Sequence, residues 1–506
     1  MRGNRSGQES GRWNLKVGLA TAAVIPAAPL LVAIFLLGMG WAGAAHAQGA
    51  PGGEVELRFR TLCAPCHGIR RYGGYAPPLI PSTLTRKKDA DLERIILEGL
   101  PQTQMPPHRE VLRPGEAKAL VAYLRTPVKA VSWNLADISA SRLVPPPPEG
   151  EQPPAPPLDR PETMLVVERG TGEVVVLDGN TLTEAARFHV GRIHGGPKFT
   201  EDYSAVFAST RDGTLVRYDL VRRRVTAKIK VAVNTRNIAV SPDGNWVVAA
   251  NQLPPNLVVL DGALNPLRVI PLPGKPSGVY HLPGEATFVL TLREHPLLYR
   301  LGIPSLGMEP TTLPQPFEDF TFIPGRKHLL ASARGGKQIL LYDLERNKVL
   351  NTLDTSGLPH LFSATYFMRG GTLFGALNHI GEPTLSILDL DRFTLVKQFT
   401  LAGAGYFVRT HPGTPYLWAD TNTDRVQLVD KATLTLQQRT LHPQPGRKAM
   451  HVEFTADGSR ALLSVWHPQG AVVIYDAKDL KELGRMPFNM PIGKYNARNK
   501  TRFPLQ

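Results

Sequence analysis

The sequence predicts a multidomain protein in which a small all-α domain is followed by an all-β eight-bladed β-propeller. Three observations support this prediction: a C-x-x-C-H motif at Cys63–His67, a proline-rich run at Pro145–Pro161, and an apolar motif that recurs eight times beyond that run. The chain has 506 residues, of which 42% are hydrophobic and 20% charged. It is therefore long enough for two or three folded domains and has the composition of a folded protein.

Charge and cysteine content exclude two classes of protein. The 58 basic residues outnumber the 43 acidic ones and give a net charge of +15, but no run of basic residues with interleaved aromatic residues concentrates that charge. We therefore expect no nucleic-acid partner. The two cysteines lie only three positions apart, so no disulfide framework holds this chain together.

The N-terminal segment predicts export. An apolar stretch, Val17–Trp41, leads into the small-x-small pattern Ala45–Ala47 and follows four basic residues, Arg2, Arg5, Arg12 and Lys16. We expect residues 1–47 to be a signal peptide that is cleaved near Ala47, which would deliver the protein to the periplasm with 54 basic and 42 acidic residues, a net charge of +12. A retained membrane anchor is the alternative, because the stretch is long enough to span a bilayer.

The C-x-x-C-H motif predicts a covalent haem. At this spacing the thiols of Cys63 and Cys66 lie on one helical turn and add to the haem vinyl groups, while His67 ligates the iron. We therefore expect a class I cytochrome c domain over residues 52–135. A thioredoxin-like redox pair is the alternative, but it requires a βαβ context that the neighbouring sequence does not show.

A second axial ligand is expected from the loop Gly99–Pro107, where prolines flank Met105. Met105 is the predicted ligand, and His108 is the alternative because imidazole ligates iron equally well. The apolar residues of Gly115–Arg125 recur at helical spacing, which predicts the terminal helix that packs on the first helix of such a domain.

The linker and the repeats divide the rest of the chain. Nine of the seventeen residues in Pro145–Pro161 are proline, so we expect an extended linker within residues 142–163. From residue 164 to 506, apolar runs end at intervals of 41 to 46 residues at Asp178, Asp219, Asp261, Gly302, Asp343, Asp389, Asp430 and Asp476. A period of 40 to 45 residues with about four short strands is typical of a propeller blade, so eight repeats predict eight blades.

Turn chemistry supports the same interpretation. The segments Ser241–Gly244 and Thr455–Gly458 are typical of hairpins between strands. The recurring aspartates need no catalytic role, because aspartate at the end of a strand is a common turn residue.

Histidines and arginines occupy the loops that should converge on the propeller axis. The histidines are His194, His360, His379 and His451, and the arginines are Arg211, Arg236, Arg334 and Arg409. Each histidine alone is more simply a surface or core residue, but together they indicate a site. Since imidazole ligates iron and guanidinium pairs with carboxylates, the set predicts a multi-carboxylate tetrapyrrole.

These motifs together resemble those of a known family. An exported C-x-x-C-H domain before an eight-bladed propeller is similar to the cytochrome cd1 nitrite reductase group, whose propeller holds haem d1 on its axis. The most specific segments are Arg211–Gly213 with Tyr218–Leu220, and Pro491–Asn496, which is similar to a P-T-G-K-F-N segment of the reductases. The resemblance implies that His194 is the proximal haem d1 ligand and that His360 and His379 face the distal side.

Within this group, the segments His194–Phe199 and His451–Phe454 resemble the dihydro-haem d1 dehydrogenases, which complete haem d1 biosynthesis. The resemblance implies that a propionate is oxidised to an acrylate. His451 and Tyr123 would accept the protons, and the electrons would leave through haem c to an acceptor protein. A cytochrome cd1 nitrite reductase would be the recipient of the product. Nitrite reduction, with His360 and His379 as proton donors, and a non-catalytic haem d1 carrier remain the alternatives.

Overall fold

The computed structural model describes residues 51–100, 103–147, 158–333, 335 and 337–501. The predicted signal peptide, Arg334 and the middle of the predicted linker lie outside the described residues. In the described ranges, no helix combines the length and the apolar character that a membrane crossing requires.

The N-terminal domain is helical. Its helices are α1 (Pro51–Arg58), α2 (Ala64–His67), α3 (Asp89–Glu98), α4 (Glu116–Arg125) and α5 (Leu135–Ala140), and a π-helical turn, Phe59–Cys63, joins α1 to α2. Apolar residues at helical spacing bury one face of each helix, and the core contains Phe59, Cys63, Leu92, Ile96, Leu120 and Leu124. The terminal helix predicted over residues 115–125 is confirmed, since α4 packs on α1 and α3.

Eight antiparallel sheets of four or five strands follow. Blade 1 contains β1 (Met164–Glu168), β2 (Glu173–Leu177) and β3 (Glu184–His189). Blade 2 contains β4 (Lys198–Phe199), β5 (Ala205–Ser209), β6 (Thr214–Asp219) and β7 (Arg224–Lys230). Blade 3 contains β8 (Asn234–Val240), β9 (Trp246–Leu253), β10 (Pro255–Asp261) and β11 (Pro266–Pro271). Blade 4 contains β12 (Pro276–His281), β13 (Thr287–Leu292), β14 (Leu297–Gly302) and β15 (Met308–Thr312).

The second half repeats this arrangement. Blade 5 contains β16 (Phe317–Phe322), β17 (His328–Ala333), β18 (Gln338–Asp343) and β19 (Lys348–Asp354). Blade 6 contains β20 (Leu358–Pro359), β21 (Thr365–Arg369), β22 (Thr372–Ile380), β23 (Thr384–Asp389) and β24 (Thr394–Thr400). Blade 7 contains β25 (Val408–Arg409), β26 (Tyr416–Asp420), β27 (Val426–Asp430) and β28 (Thr435–Leu436). Blade 8 contains β29 (Ala449–Phe454), β30 (Arg460–Val465), β31 (Gly470–Asp476) and β32 (Glu482–Phe488). The eight predicted blades are confirmed.

The last strand closes the ring. β33 (Pro491–Asn496) pairs antiparallel with β1, with Tyr495 opposite Leu165, and becomes the innermost strand of blade 1. A short helix, α6 (Ala497–Thr501), follows it. Because neighbouring strands are antiparallel, the loops that enter the innermost strands and the loops that follow the second strands all lie at one end of the channel.

The repeat aspartates form turns, as the sequence predicts. Asp389, for example, ends the third strand of blade 6, and one carboxylate oxygen accepts the backbone N–H groups of Asp391 and Arg392, both at 2.9 Å. The equivalent aspartates of the other blades accept backbone N–H groups in the same way. They therefore serve the fold, not the chemistry.

The chain reaches the propeller before the proline-rich run. Ile138 of α5 is fully buried in the core shared by blades 2 and 3, and the Trp133 indole donates to the carbonyl oxygen of Lys230 at 2.9 Å. Leu143 and Lys228 exchange two backbone hydrogen bonds at the outer edge of blade 2. This segment therefore anchors the helical domain to the propeller.

Candidate active site

The C-x-x-C-H residues have the geometry that covalent haem requires. Cys63 ends the π-helical turn and Cys66 lies one turn later in α2. Burial raises the pKa of Cys63 to about 11. The Nδ1–H group of His67 donates to the carbonyl oxygen of Pro77 at 2.7 Å, which leaves Nε2 with its lone pair available to iron. These residues fit haem c.

The loop that is expected to supply the second axial haem ligand begins and ends close together in space. The Leu100 N–H donates to the carbonyl oxygen of Met105 at 3.1 Å, and a Cβ at Gly99, where φ is +73°, would lie 2.7 Å from that oxygen. Met105 and His108 are both half-buried on this loop. Met105 as the sixth ligand therefore stays a prediction, with His108 as its alternative.

His194 lies on the loop between β3 and β4, and its hydrogen bonds hold the ring in one orientation. Its Nδ1–H donates to the carbonyl oxygen of Arg236 at 2.9 Å, and its Nε2 accepts from the guanidinium of Arg211. Burial, followed by the charges of Arg211 and Arg236, lowers the pKa of His194 well below its usual value. The ring therefore keeps a lone pair on Nε2, as an iron ligand must.

Arginines crowd around His194. Burial and repulsion between neighbouring guanidinium groups lower the pKa of Arg211 to about 9 and that of Arg293 to about 10. Arg236 is oriented by a hydrogen bond from its Nε to the carbonyl oxygen of Ser277 at 2.7 Å. The Nε atoms of Arg169 and Arg293 are buried, and among the described residues neither has a hydrogen-bond partner. Such a cluster is suited to binding a ligand with several carboxylates.

Arg169 and Arg293 were not predicted from the sequence, although their positions in the repeats distinguish them. Each directly follows the second strand of its blade, and each precedes the repeat residue of that blade, Asp178 or Gly302, by nine positions. Arg334 also precedes its repeat aspartate by nine positions, but it lies outside the described residues. Aligning the repeats on their turns would have found these arginines.

Of the two histidines expected on the distal side, the structure brings only His360 to the axis. Its Nδ1 lies 2.7 Å from the carbonyl oxygen of Tyr406. Burial lowers the pKa of His360, the charge of Asp319 opposes this, and the charges of Arg236 and Arg409 add to it. His379 is fully buried within blade 6. Its Nε2 lies 2.8 Å from Ser386 Oγ, and its Nδ1 contacts the carbonyl oxygen of Ser356. Both ring nitrogens of His379 are therefore occupied within its own blade, contrary to the expectation that it faces the distal side.

His451 lies at a bulge in β29, and hydrogen bonds hold its backbone on both sides. Its φ is +54°, a left-handed conformation that is unfavourable for a residue other than glycine. Its N–H donates to the Oδ2 atom of Asp420 at 3.0 Å, and its carbonyl oxygen accepts from the buried ammonium of Lys494. Burial raises the pKa of Asp420 to about 6.

A further hydrogen bond from Lys494 fixes the tautomer of His451. Burial and the charges of Lys494 and Arg409 lower its pKa well below its usual value, so the imidazole is neutral at pH 7. The Lys494 N–H donates to Nδ1 of His451 at 3.3 Å, which leaves the ring proton on Nε2. The sequence prediction made His451 a proton acceptor, whereas this hydrogen bond makes its free ring nitrogen a donor.

Tyr123 lies apart from this group. Its ring centroid is 5.4 Å from that of Phe59, and the Arg71 guanidinium lies 4.6 Å above its ring, so its described contacts are within the helical domain. Arg71 also donates to the Tyr123 carbonyl oxygen at 2.5 Å. The structure does not bring Tyr123 into contact with His451.

Further contacts join the earlier part of the helical domain to the propeller. Arg86 forms a bidentate pair with Glu318, at 2.7 and 3.1 Å, and the Lys275 ammonium donates to the carbonyl oxygen of Ser82. The Arg192 guanidinium lies 3.7 Å above the ring of Tyr75. Since Arg192 is two residues before His194, the covalent haem motif and the His194 loop belong to neighbouring parts of the structure.

Fold and site together define a class of protein, in which a domain with covalent haem c is joined to an eight-bladed propeller that binds an anionic tetrapyrrole on its axis. Comparison with known proteins agrees with this. The family model "Cytochrome D1 heme domain" matches residues 158–500, and the model "Cytochrome C oxidase, cbb3-type, subunit III" matches residues 52–124.

Individual relatives match along most of the chain. The dihydro-heme d1 dehydrogenase of Pseudomonas aeruginosa is 39% identical over 92% of this chain and 97% of its own length. The nitrite reductase of Stutzerimonas stutzeri is 22% identical over 93% of this chain and 97% of its own length. A solved structure of the dihydro-heme d1 dehydrogenase NirN in complex with DHE has a TM-score of 0.75 and 38% identity, and it covers 89% of this chain and 100% of that one. The chain belongs to the cytochrome D1 heme-domain family and, within it, to the dihydro-heme d1 dehydrogenases.

Proposed function

We propose that the protein binds dihydro-haem d1 in its propeller and oxidises one propionate side chain to an acrylate, which gives haem d1. The convergence of Arg211, Arg236 and Arg293 around a neutral His194 carries this proposal. A relative named dihydro-heme d1 dehydrogenase that matches along nearly the whole chain supports it.

Different residues of the channel bind the iron and the carboxylates of the substrate. His194 ligates the substrate iron through Nε2, and the arginines around it pair with the substrate carboxylates. Arg409 provides a further charge from blade 7, where its Nε is buried without a hydrogen-bond partner among the described residues. Arg334, at the repeat position that Arg169 and Arg293 occupy in their blades, is proposed for the same role. A carboxylate that leaves water for this channel needs such partners, because an unpaired buried charge is strongly unfavourable.

The reaction removes one hydrogen from each of two adjacent carbons and therefore releases two protons and two electrons. Cys63, Cys66 and His67 would hold the covalent haem, which would supply a one-electron redox centre between the substrate and an external acceptor protein. The protons pass to solvent water in the channel. The neutral His451 presents its Nε2–H group to the substrate and donates a hydrogen bond to it.

Nitrite reduction is the alternative. It requires His360 and His379 to protonate a ligand on the distal side, and both ring nitrogens of His379 are engaged within blade 6. This observation favours the dehydrogenase.

A conversion assay tests the proposal. Purified holoprotein loaded with dihydro-haem d1 and given a one-electron oxidant should form the acrylate, detected as a loss of two mass units, and His194→Ala should change the tetrapyrrole absorption spectrum and weaken binding. Rapid nitrite turnover without acrylate formation would instead indicate a reductase, and binding without either reaction would indicate a carrier.

We also propose that the protein works in the periplasm after cleavage near Ala47, and that it delivers haem d1 to a cytochrome cd1 nitrite reductase. The basic segment before the apolar stretch supports export. Mass spectrometry of the protein from a periplasmic extract should show a mature N-terminus near residue 48, whereas an intact N-terminus in the membrane fraction would indicate a retained anchor.

A further inference from the structure

The loop after the haem motif holds Tyr75 in a fixed place beside that motif. The Ala76 N–H group donates to the carbonyl oxygen of Cys66 at 2.9 Å, and the carbonyl oxygen of Pro77 accepts from Nδ1 of His67 at 2.7 Å. The two residues that follow Tyr75 are therefore hydrogen-bonded to a cysteine that would attach haem c and to the histidine that would ligate its iron. Tyr75 cannot move far without moving the motif itself.

Glycine allows the loop to lie this close to the motif. Gly68, directly after the motif, has a φ of +76°, and a Cβ there would clash with the carbonyl oxygen of Gly73. A Cβ at Gly74 would lie 3.1 Å from the carbonyl oxygen of Cys66. The position of Tyr75 is thus set by the backbone of the loop.

On the propeller side, Arg192 is held just as closely to His194. The Gly191 N–H group donates to the carbonyl oxygen of Gly172 in blade 1 at 2.8 Å, and the His194 N–H group donates to that of Ser209 in blade 2 at 3.0 Å. The backbone is therefore fixed on both sides of Arg192. A single residue separates this arginine from the proposed ligand of the substrate iron.

The two side chains meet face to face. The guanidinium carbon of Arg192 lies 3.7 Å from the centroid of the Tyr75 ring, which is van der Waals distance and the geometry of a cation–π contact. Half of the Tyr75 surface is still exposed, so this stack is a contact at the edge of the interface. From His67 to His194, every step of the connection is a covalent bond, a hydrogen bond or a van der Waals contact.

Arg169 gives independent evidence that the haem motif faces the His194 site. Burial and the charge of Arg192 lower the pKa of Arg169, and the charge of Cys66 opposes them. The charge of Arg169 in turn contributes to the low pKa of His194. One buried guanidinium is therefore within electrostatic range of both Cys66 and His194.

We propose that Tyr75 and Arg192 are positioning residues for electron transfer. Their stacked contact fixes the distance between the haem c that Cys66 and His67 would hold and the substrate on His194, and it provides a continuous path between them. This inference rests on the proposed function and adds to it the contact across which electrons leave the propeller.

The contact passes electrons one at a time. In each turnover the substrate loses two electrons and two protons, and the protons go to water. Each electron reduces the iron of haem c from Fe(III) to Fe(II), and the external acceptor protein takes it up before the next electron crosses. Tyr75 itself is not oxidised, because the positive charge of Arg192 above its ring makes removal of an electron from that ring unfavourable. Both residues therefore act by position.

Single-turnover kinetics test the inference. Dihydro-haem d1 at saturating concentration is mixed with protein whose haem c is oxidised, without an external acceptor, and the absorbance of reduced haem c is followed. We expect Tyr75→Leu to slow this reduction about tenfold, because the loss of a partly buried cation–π contact changes the population of the stacked arrangement by about that factor. Tyr75→Phe keeps the ring face and should retain the rate.

Two further measurements separate position from other effects. Ascorbate reduces haem c from solvent without using the contact, so this rate, the reduction potential of haem c and the affinity for dihydro-haem d1 should be unchanged in Tyr75→Leu. In protein that carries haem c but no tetrapyrrole, hydrogen–deuterium exchange over Gly191–Gly196 should be faster in Tyr75→Leu, because the loop loses its contact with the helical domain.

Tyr72→Leu is the matched control. Tyr72 belongs to the same loop, but its hydroxyl donates to the carbonyl oxygen of Lys129 at 2.9 Å, so this contact stays within the helical domain. This variant should leave the rate of electron transfer unchanged.

The inference and the proposed function fail in different ways. An unchanged rate in Tyr75→Leu, an equal slowing with ascorbate or an equal loss in Tyr72→Leu would overturn the inference, as would acrylate formation without reduction of haem c in the unaltered protein. If the unaltered protein forms no acrylate with an external oxidant, the proposed function itself fails. Should Tyr75→Leu not fold, Arg192→Met, which removes the charge and the planar group, decides in the same assay.

Discussion

At the scale of single residues, the backbone decides what His451 does. The sequence predicts that this histidine lies at the axis, but it does not reveal the hydrogen bond from the Lys494 N–H to Nδ1, because the two residues are 43 positions apart and meet only when the ring closes. That bond changes the role of the imidazole from proton acceptor to donor. The residue type could be predicted from the sequence, whereas the tautomer could not.

The left-handed backbone of His451 gives a prediction about stability. Both His451→Gly and His451→Ala remove the ring, but only alanine keeps the strain of a Cβ at a φ of +54°. We expect the glycine variant to be more stable than the alanine variant by about 1 kcal/mol in urea unfolding, although glycine is usually the less stable choice in a strand.

Val452 provides the matched control, because it is the next residue of the strand and has no left-handed φ. There the order should reverse, with Val452→Ala more stable than Val452→Gly. If His451→Gly were the less stable member of its pair as well, the strand would tolerate the left-handed residue without strain.

At the scale of elements, the repeats predicted the number of blades because each blade must end its third strand with the same turn. Blade 4 is the exception, with Gly302 at the position of the aspartate. The aspartates of the other blades accept the N–H group of the residue two positions later, and two positions after Gly302 stands Pro304, which has no N–H group. An aspartate there would lose one of its two usual donors, which accounts for the break in the pattern.

Asp389 offers a test of this turn. Asp389→Ala should lower the free energy of unfolding by about 1–2 kcal/mol, because the N–H groups of Asp391 and Arg392 lose their acceptor. Asp389→Asn keeps an oxygen in that place and should cost less. Gly302→Ala, at the blade whose turn has no aspartate, should leave stability nearly unchanged in the same urea titration, since a Cβ there would lie 3.5 Å from Ser305 Oγ. Equal losses in the alanine and asparagine variants of Asp389 would contradict the acceptor role.

At the scale of the whole molecule, contacts between distant parts of the chain complete the site. Consecutive residues supply only three strands of blade 1, β1 to β3. Any apolar run of the propeller could have supplied the fourth strand, so the repeats could not identify the run that closes the ring. β33 does so, and it brings Lys494 and Tyr495 beside His451. The closure of the fold and the assembly of the site are therefore one event.

The sequence also does not predict which residues join the helical domain to the propeller. Arg86 and Glu318 are 232 positions apart, and neither belongs to a motif, yet they form a bidentate pair between the helical domain and blade 5. Their side chains are one-third and one-sixth exposed, so we expect the pair to contribute about 1 kcal/mol to docking.

Charge reversal measures that contribution. Arg86→Glu and Glu318→Arg should each loosen the docking, and the double variant should restore it with the charges exchanged. Stopped-flow reduction of haem c by bound dihydro-haem d1 should be slowed about fivefold in each single variant, which corresponds to about 1 kcal/mol, and should recover in the double variant. Arg60→Glu is the matched control, because Arg60 pairs with Glu56 inside the helical domain and should leave the rate unchanged. If the single variants reduced haem c as fast as the unaltered protein, the Arg86–Glu318 pair would be a surface contact without influence on how the two redox sites are held together.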